Sequence, residues 1–317
     1  MFVLQRVARL VVVLVLVTFF TALLTSFIPG NTVDAIAPFA TPETKASIAK
    51  DLSLDDPLPV RYVHWLGDFV HGDLGNYYEG PTGKRPVWDS VSDALPKSIQ
   101  LMLLAQLISL IIASPLGVFT AYRAGSIFDK TVNSIAFGLL AIPNFVLALV
   151  LAYLLGVKFD VLPIVYDRSL AGLDGTLENL LLPALALAGG QVAIYMRLLR
   201  SDMIATLQED YITMAKAKGM SSGRILWRHA LRPSSLTLLT AAGLNVGTLI
   251  GGAVVVEVIF NMPGMGLLVA QAIFGRQYAA LQSLVAIIAI GFIAVNVFID
   301  VLYAVLDPRI RDARALA

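Results

Sequence analysis

The chain has 317 residues, 57% of them hydrophobic and only 14% charged, with a mean hydropathy of +0.79. A soluble surface cannot be made from that composition, so the sequence reads as an integral membrane protein. Its 23 basic and 22 acidic residues nearly cancel, which removes any bulk attraction for nucleic acid or an acidic substrate. The absence of cysteine excludes disulfides, thiolate nucleophiles and Cys-ligated metals. His64, His71 and His229 are too dispersed for a metal motif.

A bilayer core takes about 20 apolar helical residues. Six charge-free runs meet that need: 10–28, 98–122, 131–157, 179–196, 233–256 and 277–299. Each is predicted as a helix, because a lipid-embedded segment must satisfy its own backbone hydrogen bonds, and the alternation of a membrane barrel is absent.

Arg6 and Arg9 precede the first run, and Ala35-Ile36-Ala37 beyond it is similar to a signal-cleavage site. The run is longer than a usual signal core, and Pro38 is poorly placed just after the cut. An uncleaved anchor is therefore expected. Residues 29–97 form a long outer insert rich in proline, with aromatics at Tyr62, Trp65, Phe69, Tyr77 and Tyr78. The spacing predicts a helix over 62–69, followed by a turn at Gly72-Asp73-Leu74-Gly75. A docking surface or lid and an ordered crossover both fit this small cap.

The connection 197–232 carries seven basic residues and two short helical patterns. Glu209 and Asp210 place negative charge at the start of the first pattern, and Gly219 stops it. Ser221 or Ser222 can cap a second helix running through Ile225, Trp227 and Leu231 to Pro233. Insertion into a groove on another protein and a position along the membrane headgroups are the two readings of this loop. A seventh apolar run, 258–275, is interrupted by Asn261-Met262-Pro263-Gly264-Met265-Gly266. That turn signal leaves 267–274 as a short, partly buried or re-entrant helix in an outer loop.

Basic residues near span ends favour the cytoplasm. With six spans and cytoplasmic termini, the inner segments hold 14 Lys and Arg, whereas the two short outer loops hold only Lys158, Arg168 and Arg276. The chain accordingly divides into an N-terminal tail and first span (1–28), the outer insert (29–97), a transmembrane core (98–299) with the inner loop 197–232, and a cytoplasmic tail (300–317). Gly243, Gly247 and Gly251 recur every four residues on the fifth span and predict close helix packing. Gln106, Asn144, Gln191, Asn245 and Asn296 are the amides within the spans. Their expected role is bridging between helices, so no substrate contact is assigned to them.

The segment Asp210-Tyr211-Ile212-Thr213-Met214-Ala215-Lys216-Ala217-Lys218-Gly219, followed by Arg228-His229-Ala230-Leu231-Arg232-Pro233, resembles the cytoplasmic EAA loop of bacterial ABC importer permeases. Ala215, Gly219 and Leu231 fit the general pattern, whereas Thr213, Met214, His229 and Arg232 depart from it much as the dipeptide and oligopeptide branch does. Gly72-Asp73-Leu74-Gly75, the segment 257–266 and the tail segment 300–309 resemble the same branch in the same order.

The resemblance implies an all-α membrane protein with six transmembrane helices and the type I ABC importer permease fold, carrying an outer-face insert after the first helix. It implies a half-channel in a bacterial inner membrane, paired with a homologous permease. Two cytoplasmic ATPase subunits would carry ATP and Mg, and an extracytoplasmic binding protein would deliver peptide. Coupling to the ATPases falls by resemblance on Asp210, Tyr211, Met214, Ala215, Ala217, Lys218 and Gly219. Glutathione, nickel chelates and haem are also cargoes of related systems. The chain has no phosphate-binding loop of its own, since Gly83-Lys84 is preceded by Tyr78 at the first glycine position and followed by Arg85. An ion-coupled secondary transporter is the alternative, but such proteins commonly place ionisable residues at midplane, and none stands deep in these runs. Channel filters and enzyme motifs are absent as well.

Overall fold

The structure, a computed structural model, describes residues 2–80, 83–170 and 172–306, with side chains placed between 11 and 299. Expectations resting on Asp307-Pro308-Arg309, Arg311 and Arg314, or on the side chains of Arg6 and Arg9, lie outside the described residues. The chain is mostly helical and divides into two compact units, Met1–Ser98 with Pro263–Ala294 and Ile99–Met262 with Val295–Ala317.

The first unit begins with α1 (Phe2–Ser26), then α2 (Thr32–Ile36), α3 (Pro42–Asp51) and α4 (Leu58–Val70). Start signals are local: Asn31 Oδ1 accepts from the Val33 N–H, and Thr41 Oγ1 accepts from that of Thr44, with Pro42 in the first turn. The helix predicted over 62–69 is the C-terminal part of α4. It is tied to α1, since the hydroxyls of Tyr62 and Thr18 lie 2.9 Å apart and Tyr62 also reaches the Val15 carbonyl. Phe19, Tyr62, Trp65 and Phe69 form a run of ring contacts beside these bonds. The strands β1 (Asn76–Glu79) and β2 (Gly83–Pro86) then pair antiparallel, with Asn76 opposite Pro86 and Glu79 opposite Gly83. Lys84, from the pair that fails as a phosphate loop, binds Asp51 instead.

The start of α5 (Val87–Tyr122) closes this unit together with α12 (Met265–Phe274) and the first part of α13 (Tyr278–Leu306). Val87, Val91, Ala94, Met265, Ala272 and Leu284 share one core, while Val33, Ile36, Ala37, Ile48 and Tyr78 form another. The short helix expected at 267–274 is present and begins two residues earlier, where Ser98 Oγ accepts from the Met265 N–H.

The second unit contains the rest of α5, then α6 (Ile127–Ala141), α7 (Asn144–Leu151) with a π-helical extension Ala152–Lys158, and α8 (Gly172–Leu207). After α9 (Asp210–Ala217), α10 (Ser222–Arg224) passes through a π-helical turn, Ile225–Ala230, into α11 (Leu231–Ile259). Helix α8 is the most enclosed, with Leu182, Ala184, Ala186, Leu187, Ala193, Tyr195 and Leu199 all at 1% exposure or less. Its small residues let neighbours approach closely, which matters where lipid offers no hydrophobic drive for helix association. Gly189 shows this directly, since an added Cβ would collide with Leu147.

Two predicted boundaries are corrected. The run 131–157 is not one straight helix: it bends by 107° between Ala141 and Asn144. Pro143 forces extended backbone on Ile142, at φ −89° and ψ 120°, and so ends α6. Conversely, the fifth run does not begin at Pro233, because helix is continuous over Ser222–Ile259. Proline removes the bond from residue 233 to the His229 carbonyl, and the π-turn just ahead widens the helix where that bond is missing.

Among the described residues, four helices are long and apolar enough to cross a membrane, or five if the bent pair counts as one span. The described apolar part of α1, Val11–Ser26, is among the shorter apolar helices.

Candidate functional site

Local sequence builds α9, the helix that the motif singled out. Asp210 lies in the first turn of α9 and Lys216 in the last, as the helix dipole favours. Termination is a complete Schellman arrangement: the Gly219 N–H donates to the Lys216 carbonyl at 2.9 Å, and the Met220 N–H to that of Ala215 at 3.2 Å. The arrangement needs the left-handed φ of +76° at Gly219, a value that costs any residue with a Cβ. Ser221 occupies the next N-cap position in extended conformation, but its hydroxyl makes no capping bond. The serine cap expected from sequence is thus supplied by backbone alone.

Helix α9 has two unlike faces. Ile212 and Ala215 are buried in a core shared with Met196, Leu199, Met203, Ile225, Leu226 and Ala230. Tyr211 and Met214 are 46% and 58% exposed, and Asp210, Ala217, Lys218 and Gly219 are also exposed. Sequence offered both alanines as room for a partner. The fold turns Ala215 inward and leaves only Ala217 outside. A cavity of about 250 Å³ lies beside the helix, lined by Tyr122, Leu207, Lys216, Ser222 and Leu226 among others.

One ionic feature was missed. Asp129, 3% exposed, accepts two parallel bonds from Arg200 as well as bonds from the Gly125 N–H and Asn133 Nδ2. Ser126 Oγ caps the same turn by accepting from the Asp129 N–H. The Ser126-x-x-Asp129 spacing was the available signal, but Arg200 entered the sequence reading only as one of the seven basic residues of 197–232, and Asp129 not at all. Glu257 was missed too: assigned outside the fifth span, it lies in the last turn of α11 and is 1% exposed.

The glycine stripe is offset from the close contact within the chain. A Cβ on Gly251 would meet open space, whereas one on Gly252 would stand 3.2 Å from both Asn144 Nδ2 and Leu187 Cδ2. Gly243 and Gly247 are half-buried. The amides join helices as their type suggests. Gln106 on α5 accepts from the Tyr195 hydroxyl on α8 at 3.2 Å, Asn245 on α11 is a second partner of Tyr195, and Gln191 Nε2 donates to Thr248 Oγ1 at 3.1 Å. Gln191 Oε1 and Asp202 Oδ2 are buried without a donor among the described residues.

Comparison with known proteins agrees along the whole chain. Residues 113–312 match the family described as binding-protein-dependent transport system inner membrane component, and residues 1–102 match its N-terminal region. A putative peptide transport system permease protein of Brucella abortus is 37% identical over 311 residues, covering 98% of each chain. A probable peptide ABC transporter permease protein of Sinorhizobium fredii is 33% identical over 98% of this chain and 99% of its own. The dipeptide transport system permease protein of Escherichia coli is 32% identical over 99% of both. These matches decide against the ion-coupled secondary transporter. With several apolar helices long enough to span a membrane, the chain belongs to the inner-membrane permease subunits of binding-protein-dependent ABC importers.

Proposed function

We propose that this chain forms half of the translocation pathway of an ATP-driven importer for peptides, with a homologous permease as the other half. Two cytoplasmic ATPase subunits carry ATP and Mg, and an extracytoplasmic binding protein delivers the cargo. Peptide is the cargo named for the Brucella, Sinorhizobium and Escherichia relatives. In this reading six helices cross the bilayer with both termini cytoplasmic, 29–97 lies outside, 98–299 is the transmembrane core, 300–317 is the inner tail and 197–232 is the coupling loop.

The two-faced character of α9 carries the proposal. Its inner side chains, Ile212 and Ala215, belong to the same core as Met203, Leu199 and Met196 of α8. Its outer side chains, Tyr211, Met214 and Lys218, are free to enter an ATPase groove, with Asp210, Ala217 and Gly219 at the margins. A push on the outer face therefore reaches the long helices through packed side chains rather than a slack linker. The exposed Gly251 side of α11 is where the second permease packs, with Gly243 and Gly247 continuing the stripe.

The test is purification from native membranes in mild detergent, with partners identified by mass spectrometry and ATPase activity measured with and without loaded binding protein. Recovery of a second permease and ATPases, with hydrolysis stimulated by the loaded binding protein, is expected. Met214→Asp and Gly219→Pro should abolish uptake while the subunit stays inserted. Met214→Asp is cleaner than a charge at Ala215, which would disrupt the chain's own core. Normal uptake in both variants would remove α9 from the mechanism.

A further inference from the structure

A cavity of about 360 Å³ lies within the first unit, bounded by the end of α1, the insert and the start of α13. That volume is within the range of small-molecule sites. Trp65, Tyr78 and Tyr278 are among its walls, together with the acids Asp51, Asp68 and Asp73 and the bases Arg61 and His64. Three of these are already engaged: Asp51 binds Lys84, Asp73 Oδ1 accepts from the Gly75 N–H, and His64 stands 3.9 Å from Asp56.

Arg61 and Asp68 are left, and neither side chain has a partner among the described residues. They lie seven residues apart on α4, two turns along one face. Gln282 also lines the cavity. It is only 9% exposed, and its Nε2 is a buried donor without an acceptor among the described residues. An unmatched buried amide is a rare feature of folded chains and calls for an acceptor supplied from elsewhere.

We propose that this cavity is a receiving site for short zwitterionic peptides, resting on the peptide-importer reading above. Arg61 takes the terminal carboxylate, Asp68 the terminal ammonium, and Gln282 Nε2 a backbone carbonyl, against an aromatic wall that accepts varied side chains. Opposite charges two helical turns apart match a ligand carrying both signs, which a purely anionic or cationic solute does not. In the six-span arrangement the site lies at the outer ends of α1 and α13, where a binding protein would release its cargo.

The experiment uses the assembled transporter in lipid nanodiscs without binding protein, carrying Trp88→Phe and Trp227→Phe so that Trp65 is this chain's tryptophan reporter. Alanyl-alanine, its N-acetyl derivative and its C-terminal amide are titrated, and uptake with binding protein is measured in parallel. Saturable change in Trp65 emission is expected with alanyl-alanine. Arg61→Gln should weaken alanyl-alanine about tenfold without further weakening the amide, and Asp68→Asn should do the same with respect to the N-acetyl form. Gln282→Leu should weaken all three.

Peptide uptake with no saturable Trp65 response, or equal losses for all three ligands in the Arg61 and Asp68 variants, would overturn the site and leave the importer reading standing. Wild-type complex that imports no peptide overturns both.

Discussion

Arg200 meets Asp129 as a two-pronged fork, Nε to Oδ1 and Nη2 to Oδ2, each at 2.7 Å. The carboxylate is 4% exposed and the guanidinium side chain 26%, so the pair is a mostly dry clasp between the first turn of α6 and the C-terminal part of α8. Arg200→Met should leave a buried, uncompensated carboxylate and cost about 3 kcal/mol or more. Arg200→Lys should recover part of that loss, since a point charge replaces the fork. The double variant Asp129→Leu with Arg200→Met should be more stable than Arg200→Met alone. Thermal unfolding of the four proteins in one detergent decides this. A double variant no better than the single would show that Asp129 is held chiefly by Gly125 and Asn133.

Neighbouring glycines on α11 should behave oppositely. At Gly252 a side chain runs into Asn144 and Leu187, so Gly252→Val should destabilise the subunit by about 1–3 kcal/mol. At Gly251 there is room, and Gly251→Val should unfold like wild type. If the second permease covers that side, Gly251→Val should nevertheless reduce co-purification of the two permeases. Wild-type recovery of the pair would place the partner elsewhere.

The end of α9 offers a graded test. Gly219→Ala imposes a Cβ on a left-handed residue and should cost about 1–2 kcal/mol. Gly219→Asn should cost less, because asparagine visits that conformation more readily. Transport per ATP hydrolysed should follow the order Gly, Asn, Ala. Equal coupling in all three would separate this turn from the stroke.

The β1–β2 hairpin contributes a pH signature. Burial pushes the Tyr77 phenol up to about 12 from its ordinary value near 10, with its hydroxyl donating to the Leu268 carbonyl at 3.4 Å. A raised folded-state value means the stabilisation from the neutral phenol is complete below about pH 10 and is lost as pH rises towards about 12. The unfolded chain releases that proton first. Thermal midpoints of wild type should therefore fall more steeply across that window than those of Tyr77→Phe. Parallel slopes would show that Tyr77 is solvated.

The membrane class, the positions of the apolar runs, the α4 helix and the α9 stop at Gly219 follow from composition, period and single turn-forming residues. All of these are local quantities, so the linear chain displays them. Orientation of a face is different, because a shift of one residue rotates a helical position by about 100°. The glycine repeat marked Gly251, yet close packing within the chain falls on Gly252, and only neighbouring helices distinguish the two. Ala215 and Ala217 likewise look equivalent until Met203 and Ile225 cover one of them.

Proline shows the division most clearly. Pro143 and Pro233 are the same residue beside similar apolar runs. At the first the backbone of Ile142 turns extended and the helix bends by 107°, while at the second a π-turn stands just ahead of the proline and the helix continues. Sequence alone determined that a bond would be lost at each place, because proline carries no N–H. Tertiary structure decided whether the chain bent or widened there, since that choice depends on how the turn ahead is held by its surroundings. The pairing of Asp129 with Arg200, 71 residues apart, was settled at the same level, because loop charges reveal their sign to the sequence but their partners only to the fold.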